Sequence, residues 1–564
     1  MPDLARRLAV ARGDELADVV IEGGKVFSAF TREWLETEVA ICDGYVAGLG
    51  EYAGKEIIHA RGKYVVPGFV DAHMHLESSK LLPDEFARLV LPLGTTTVVA
   101  DPHEIANVLG TDGIHWLADL ADEVPLDIFF MASSSVPASK FESPRRSFTV
   151  GDLQGLLRRR RVLGLAEMMN YPGVVAGDPD ELAKLALDQI SHVDGHAPGV
   201  LGRELQAYAA AGVRSDHECS TPEEGRERLR AGMWVLIRDA TAARNVEALA
   251  PLVLEFGPAR MALCTDDREP EHIADEGHMN AVVRRAVEVG IAPEDALVMA
   301  TANSATWHGL RDFGAIAPGF QADILLLPDL ESFEPELVLK RGAPVEEFPR
   351  AEVPEWVKHT VRVQSVANND FQIPWEGGPA RVIGLVEGQI VTEELHEELH
   401  VEDRLAVADP ERDLAKISVV ERHLGTGRIG LGFVCGFGLH RGAMATTIAH
   451  DAHNIVVVGV DDGDMARAVQ RLAEIGGGLV VIADRGVQAE LPLPVAGIVS
   501  DARYEEVVEA SEACLAAARE LGCTFPAPFQ TLSFLALSVI PKLKITDRGL
   551  VDVDRFEVVP LSVG

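Results

Sequence analysis

Between residues 64 and 312 the chain alternates short apolar runs with helical stretches, and chargeable residues recur where the apolar runs end. The runs are YVVPGFVDAH, TTTVVADPH, LDIFFMASS, VLGLAEMM, SHVDGHAP, GVRSDHE, MWVLIRDA and RMALCTDD. Between them lie periodic segments such as PDEFARLVLPLG, DELAKLALDQI and PEEGRERLRAG. Alternating strands and helices build parallel sheets. Eight such units in about 250 residues fit a closed (β/α)8 barrel better than a doubly wound sheet. The run ends carry Asp71, His73, His75, His103, Glu167, His196, His217 and Asp266. In a barrel those ends share one face, on which active sites are built.

The flanking regions have a different rhythm. Residues 14–66 alternate apolar and polar positions with a turn about every ten residues, the pattern of a small antiparallel sheet. After the barrel, GAIAPGFQADILLLPDL reads as strands returning to that sheet. From about residue 370, runs such as RVIGLVEGQIV and NIVVVGVDD with the helix DMARAVQRLAEIGGG indicate a further α/β region. The expected fold class is α/β, a TIM-like barrel with a split small β-sheet domain and a C-terminal α/β domain. The expected division is 1–66 for the first part of the small sheet, 67–312 for the barrel, 313–370 for the return and 371–564 for the C-terminal domain.

Composition narrows the partners. A formal net charge of −37 argues against nucleic acid, which needs a concentrated basic surface. The one basic run, Arg158–Arg161, reads as a solvated helix end. Six dispersed cysteines with no C-x-x-C pair are too few for a disulfide scaffold and favour a reducing compartment. The N-terminus carries acids where a signal peptide needs an apolar run. The apolar stretch at 531–540 is too short to span a bilayer. A cytoplasmic protein with no membrane contact is expected.

His73 and His75 stand two apart on one strand, so both imidazoles face the same side. With His196, His217, Glu167 and Asp266 they form a donor set suited to Zn, Fe, Mn or Ni. Two adjacent ions need a bridging anion, which a carboxylated strand-end lysine supplies in some barrel hydrolases. The chain has only 11 Lys against 40 Arg. The barrel lysines fall in helical patterns (Lys80, Lys184) or a polar loop (Lys140), leaving Glu167 to bridge. Asp266 is placed to bind metal and take a proton from water, and Asp267 to line the pocket or cap the next helix. His103-Glu104 offers an acid/base pair, with a helix N-terminal role the alternative for Glu104. His75-x-Glu77 lacks the P-C-x-x-C half of a cytidine-type deaminase site. Gly425-x-Gly427-x-x-Gly430 is followed by LGFVCGFG rather than a helix, so it is no dinucleotide fingerprint. In AHDAHN, His450 and His453 either bind metal, reach into the barrel mouth, or cap a turn before NIVVVG.

These stretches carry a resemblance. PGFVDAHMHLESS resembles the opening signature of the amidohydrolase superfamily. With ADPHEIANVLG, AEMMNYPGV, VDGHAPG, SDHECST, CTDDREP, DEGHMN, GFGLHRGAMATTIAHDAHNIVVVG and ELPLPVAGIVSD, the chain is similar from about residue 20 onward to the bacterial-type adenine deaminases. The resemblance implies hydrolytic deamination of adenine in purine salvage. It implies two divalent ions, Mn²⁺ or Fe²⁺ (Zn²⁺ equally admitted by the donors), held by His73, His75, Glu167, His196, His217 and Asp266. Asp266, Glu104 and His103 are then the catalytic candidates, and Glu77, Arg238 and Asp267 the substrate-binding ones. A homo-oligomer, a dimer, is expected. IRDATAARN departs from the family's REGSAA-like segment, and Ala452 stands where Ser is usual. The competing functions are another metal-dependent amidohydrolase acting on a cyclic amide or a different aminopurine, and a catalytically inactive barrel that binds or assembles.

Overall fold

The computed structural model describes residues 3–386 and 389–563. All eight apolar runs form strands: β1 (Phe69–Met74), β2 (Thr95–Ala100), β3 (Asp127–Ala132), β4 (Val162–Met168), β5 (Val193–Gly195), β6 (Ser215–Asp216), β7 (Trp234–Arg238) and β8 (Met261–Cys264). β1–β5 form one parallel sheet and β6–β8 a second. Two seams join them into a ring: a parallel bridge of Met74 with Asp266, and a bond from Arg214 N to the Val193 carbonyl at 3.1 Å. The first run splits. Tyr64–Pro67 is a strand of the small sheet, and the chain passes into β1 at Gly68, where a Cβ would lie 2.2 Å from Thr96 Oγ1.

Local sequence explains the helices between strands. Pro222–Arg230 starts with Pro at its first position and a reciprocal capping box of Thr221 and Glu224. Its Arg228 turns inward onto Asp216 at 2.8 Å, with both side chains buried. The basic run follows the end of the helix Val150–Leu156: Arg158 and Arg160 are exposed, while Arg159 meets Asp119 at 2.5 Å and Arg161 meets Asp122 at 2.6 Å.

Strands from before and after the barrel share one sheet. Ile324–Leu327 runs antiparallel to Tyr64–Pro67, which also pairs with Lys25–Ser28. A four-stranded sheet containing Ala17–Glu22 faces it across Ile21, Val39, Val65 and Ile324. Beyond residue 371, eight strands form a sheet in which only Pro379–Leu385 with Ile429–Cys435 is parallel. The glycines at 425, 427 and 430 thus lead into a strand, as their context predicted. The apolar stretch near 531–540 folds as the helix Pro528–Phe534 and a following loop whose side chains face the barrel mouth. No helix among the described residues is long and apolar enough to cross a membrane.

Candidate active site

The C-terminal ends of the barrel strands bring the six sequence-selected donors together, with Glu167, on β4, at their centre. Glu167 Oε1 lies 3.2 Å from His75 Nε2 and 3.8 Å from His73 Nε2. Its other oxygen, Oε2, lies 2.7 Å from His196 Nδ1 and 3.3 Å from His217 Nε2. Asp266 Oδ1 faces the first pair, 3.5 Å from His73 Nε2 and 3.2 Å from His75 Nε2. One carboxylate therefore spans two imidazole pairs, and a second closes one of them. Asp266 adopts φ +56°, the left-handed region, just where its amide bonds the His73 carbonyl and the barrel closes.

Burial alone would raise these carboxyl groups. At Glu167 burial is outweighed by the charge of His217 and by hydrogen bonds from His196, His217 and His75, which hold the carboxyl well below the usual range. At Asp266 burial is likewise outweighed, first by Arg238 and then by His73 and His75.

The donors fit divalent ions. His73 Nε2, the nitrogen that faces Glu167 and Asp266, is buried with no hydrogen-bond partner among the described residues, a costly state unless something else satisfies it. His75 Nδ1 donates to the Asp101 carbonyl at 3.1 Å, which fixes the tautomer whose Nε2 lone pair points into the cluster. Donor atoms of His73, His75 and Asp266, and of His73, Glu167 and His217, lie within 4.8 Å of one another.

Two residues of this cluster escaped the sequence reading. Glu218 follows His217 directly; its Oε1 lies 3.4 Å from both His196 Nδ1 and His217 Nε2. Asp101, two residues before His103, accepts from His103 Nδ1 at 3.0 Å and from Ser133 Oγ at 2.7 Å. The signal was present in both, a carboxylate beside a strand-end histidine. Arg238 sits between carboxylates: Nη1 donates to Glu218 at 2.5 Å and to Asp266 at 2.6 Å, and Nη2 to Glu218 at 2.7 Å.

Above the cluster, Glu104 stands in the first turn of the helix His103–Leu109 and points into the mouth. Its Oε1 lies 2.7 Å from His450 Nδ1 and 3.3 Å from His103 Nε2, and its Oε2 meets His453 Nε2. His450 and His453 thus reach the barrel mouth from the C-terminal region, and His450 stacks on Phe534 at 4.5 Å. Asp267 accepts from Ser78 Oγ and does not cap the next helix, whose N-cap is Glu269. Glu77 stands one layer back. Its Oε1 accepts from Ile105 N at 3.0 Å, and burial followed by the charge of Glu104 raises its carboxyl to about 7. Lys80 corrects the helical expectation: it closes the 3-10 turn Leu76–Ser79 at φ +60°, fully buried, with Nζ 2.6 Å from Glu269 Oε1. The narrow space above the cluster has a polar floor from the barrel. Its apolar wall comes from Met169 together with Ile390, Phe534, Leu537 and Ile540 of the C-terminal region.

The chain matches the amidohydrolase family over residues 64–359 and the adenine deaminase C-terminal domain over residues 389–557. An adenine deaminase of Archaeoglobus fulgidus is 49% identical over 560 residues, covering 99% of this chain and 98% of its own. Adenine deaminase 2 of Carboxydothermus hydrogenoformans is 46% identical over 561 residues, 98% of each chain. An adenine deaminase of a Methylobacterium species is 46% identical over 562 residues, 99% of this chain and 100% of its own.

Proposed function

The chain belongs to the adenine deaminase family within the metal-dependent amidohydrolases, and from that membership we propose that it hydrolyses adenine to hypoxanthine and ammonia at a two-ion centre, in purine salvage. One observation carries the reading: the two oxygens of Glu167 face different histidine pairs. His73, His75, Glu167 and Asp266 would hold one ion and Glu167, His196 and His217 the other. Family resemblance favours Mn²⁺ or Fe²⁺, and the donors admit Zn²⁺. Ions bound there supply a water acidic enough to lose a proton near neutral pH.

The protein's own groups do the rest. Asp266 accepts the proton of the water that attacks C6, and Arg238 fixes its orientation through Oδ2. The purine lies against the wall of Phe534, Leu537 and Ile540, which also excludes bulk water. The Glu104–His103 pair delivers the proton that N1 or the departing amine requires, so that the tetrahedral carbon collapses with loss of ammonia. Asp267 and Arg238 both line the pocket, whereas Glu77 acts through Glu104.

In this reading the catalytic barrel is 67–312, the small sheet 1–66 with 313–370, and the C-terminal domain 371–564 closes the mouth. All six cysteines are unpaired, in keeping with a reducing cytoplasm, and a dimer is the assembly we expect.

The test is ammonia release from adenine, adenosine and guanine by Mn²⁺-loaded protein. Turnover of adenine alone is expected. No turnover of adenine overturns the reading, and turnover of guanine in its place assigns a different aminopurine. Glu167→Gln is expected to lower kcat by at least about a thousandfold, since it removes both the bridge and its charge. Metal analysis of that variant is expected to show about half the bound ions, and a full complement would refute the bridge.

A further inference from the structure

At the opposite end of the barrel, two histidines meet ring nitrogen to ring nitrogen, in the manner of ligands. His192 immediately precedes β5, and His308 follows the helix Ala302–Trp307, the last of the barrel region. His192 Nε2 and His308 Nδ1 face each other at 3.0 Å. The far nitrogen of each ring is already engaged. His308 Nε2 donates to the Ala72 carbonyl at 2.6 Å, and His192 Nδ1 lies 2.9 Å from Ser191 Oγ. The first of these bonds leaves a lone pair on His308 Nδ1, which is how outer partners orient a metal-binding imidazole.

Asp194, inside β5, completes the set. Its Oδ1 accepts from Ser215 Oγ and from Trp307 Nε1, each at 2.8 Å. Its Oδ2 is buried with no hydrogen-bond partner among the described residues, on a side chain only 1% exposed. Donor atoms of His192, Asp194 and His308 lie within 4.8 Å of one another. Burial, then the neighbouring imidazole, lowers His192 to about 4, and burial lowers His308 to about 3, so both rings are neutral at physiological pH.

We propose that His192, Asp194 and His308 bind one divalent cation of the Zn²⁺ type, which pins the last barrel helix to the fifth strand. Two imidazoles and a carboxylate suit Zn²⁺, and nitrogens on a tetrahedral Zn²⁺ stand about 3.3 Å apart, so only a slight spreading of the rings is needed. His192 also lines a groove with Trp234, Trp307, Arg214 and Arg260, through which solvent, available as a fourth ligand, reaches this end of the barrel. A bare hydrogen bond from His192 to His308 would account for the two rings, but it leaves Asp194 Oδ2 buried and unsatisfied. The N-terminal end of a barrel is where stability rather than chemistry is built, so the ion is structural.

The proof is a difference in metal count that does not depend on the substrate of the upper site. Full-length protein and its His192→Gln and Asp194→Asn variants are saturated with Zn²⁺, freed of excess and analysed for bound metal. Each variant is expected to hold about one ion fewer than the parent, while its Mn²⁺-supported turnover stays within about twofold. Co²⁺ is expected to quench tryptophan fluorescence in the parent and not in His192→Gln, through Trp307 beside the site. Equal Zn²⁺ content in the parent and His192→Gln, whose side chain sits at the groove and is only half-buried, overturns the proposal. Should Asp194→Asn fail to fold, the His192→Gln count and quenching still decide.

Discussion

Arg238 of the barrel and Arg422 and Lys544 of the C-terminal region are buried in opposite ways. In the barrel, Arg228 lies on Asp216, Arg238 on Glu218 and Asp266, and Lys80 on Glu269, each within 2.8 Å. In the C-terminal region Lys416 pairs with Asp462 at 2.6 Å, but the two cations with no exposure, Arg422 and Lys544, have no carboxylate partner among the described residues. Arg422 donates to the carbonyls of Ala496 and His453 and to Thr360 Oγ1, and Lys544 donates to the Ile390 carbonyl at 2.8 Å. The electrostatic result differs in sign. Around Arg238 burial is outweighed by Glu218 and Asp266, and the guanidinium is held more firmly protonated than in water. Arg422, whose burial is reinforced by the nearby Arg145, falls to about 9, and Lys544, through burial alone, to about 7. Arg238 sets the charge and aim of Asp266, a catalytic candidate. C-terminal cations tie backbone segments, and both segments bear on the mouth: the loop of His453 and the segment of Ile390.

Removing a cation from each region separates these roles, and the barrel loses most. Arg238→Met leaves Glu218 and Asp266 buried without a counter-charge, a change that costs roughly 3–5 kcal/mol. Activity is expected to fall by about a hundredfold or more, because Asp266 loses both its orientation and its low proton affinity. Denaturant unfolding and steady-state kinetics of the variant test both halves. A stable protein with an unchanged kcat would show that Arg238 is a bystander and that the contrast between regions is false.

Strand-end periodicity made this asymmetry half legible. An apolar run that ends in a chargeable residue announces both a strand and a side chain on the catalytic face, so all eight strands and the six donors could be read without coordinates. The pattern names a residue, however, and not its partner. Arg238 was selected as a substrate contact, yet its partners Glu218 and Asp266 lie 20 and 28 positions away, beyond any helical or strand period. The bond between Glu104 and His450 crosses from the barrel to the C-terminal region, and only closure of the fold creates it. Lys80 misled for the opposite reason: its neighbours carry a helical pattern, but the chain leaves the turn in a left-handed conformation and drives the ammonium inward. Arg422 and Lys544 gave no signal at all, because backbone carbonyls have no sequence identity.

Arg422→Met should do less harm than Arg238→Met. It strands carbonyl acceptors rather than ionised carboxylates, a loss of about 1–3 kcal/mol. The loop carrying His450 and His453 loses its anchor, so a roughly tenfold fall in kcat is expected, with the metal content unchanged. Metal loss in this variant would mean that the C-terminal region supports the ion site itself and not only the Glu104 cluster.

Lys544→Met tests the weakest side of the contrast, and its expected sign is a gain. The folded-state pKa of Lys544 lies near 7, against 10.5 in the unfolded chain. Between those values the unfolded state binds more protons, so stability rises with pH across that window, and below about 7 the full cost of a buried ammonium applies. At 1.36 kcal/mol per pKa unit that cost is on the order of a few kcal/mol, larger than the roughly 1 kcal/mol lost with the bond to the Ile390 carbonyl. Lys544→Met should therefore unfold at higher denaturant concentration than the parent at pH 7, with the advantage shrinking toward pH 10. Activity should change little, because Ile390 presents an apolar side chain to the cavity and only its carbonyl meets the lysine. A variant less stable than the parent at pH 7, with the same dependence on pH, would show that Lys544 stays charged in the folded protein and that an unseen anion or water balances it, as Glu218 and Asp266 balance Arg238.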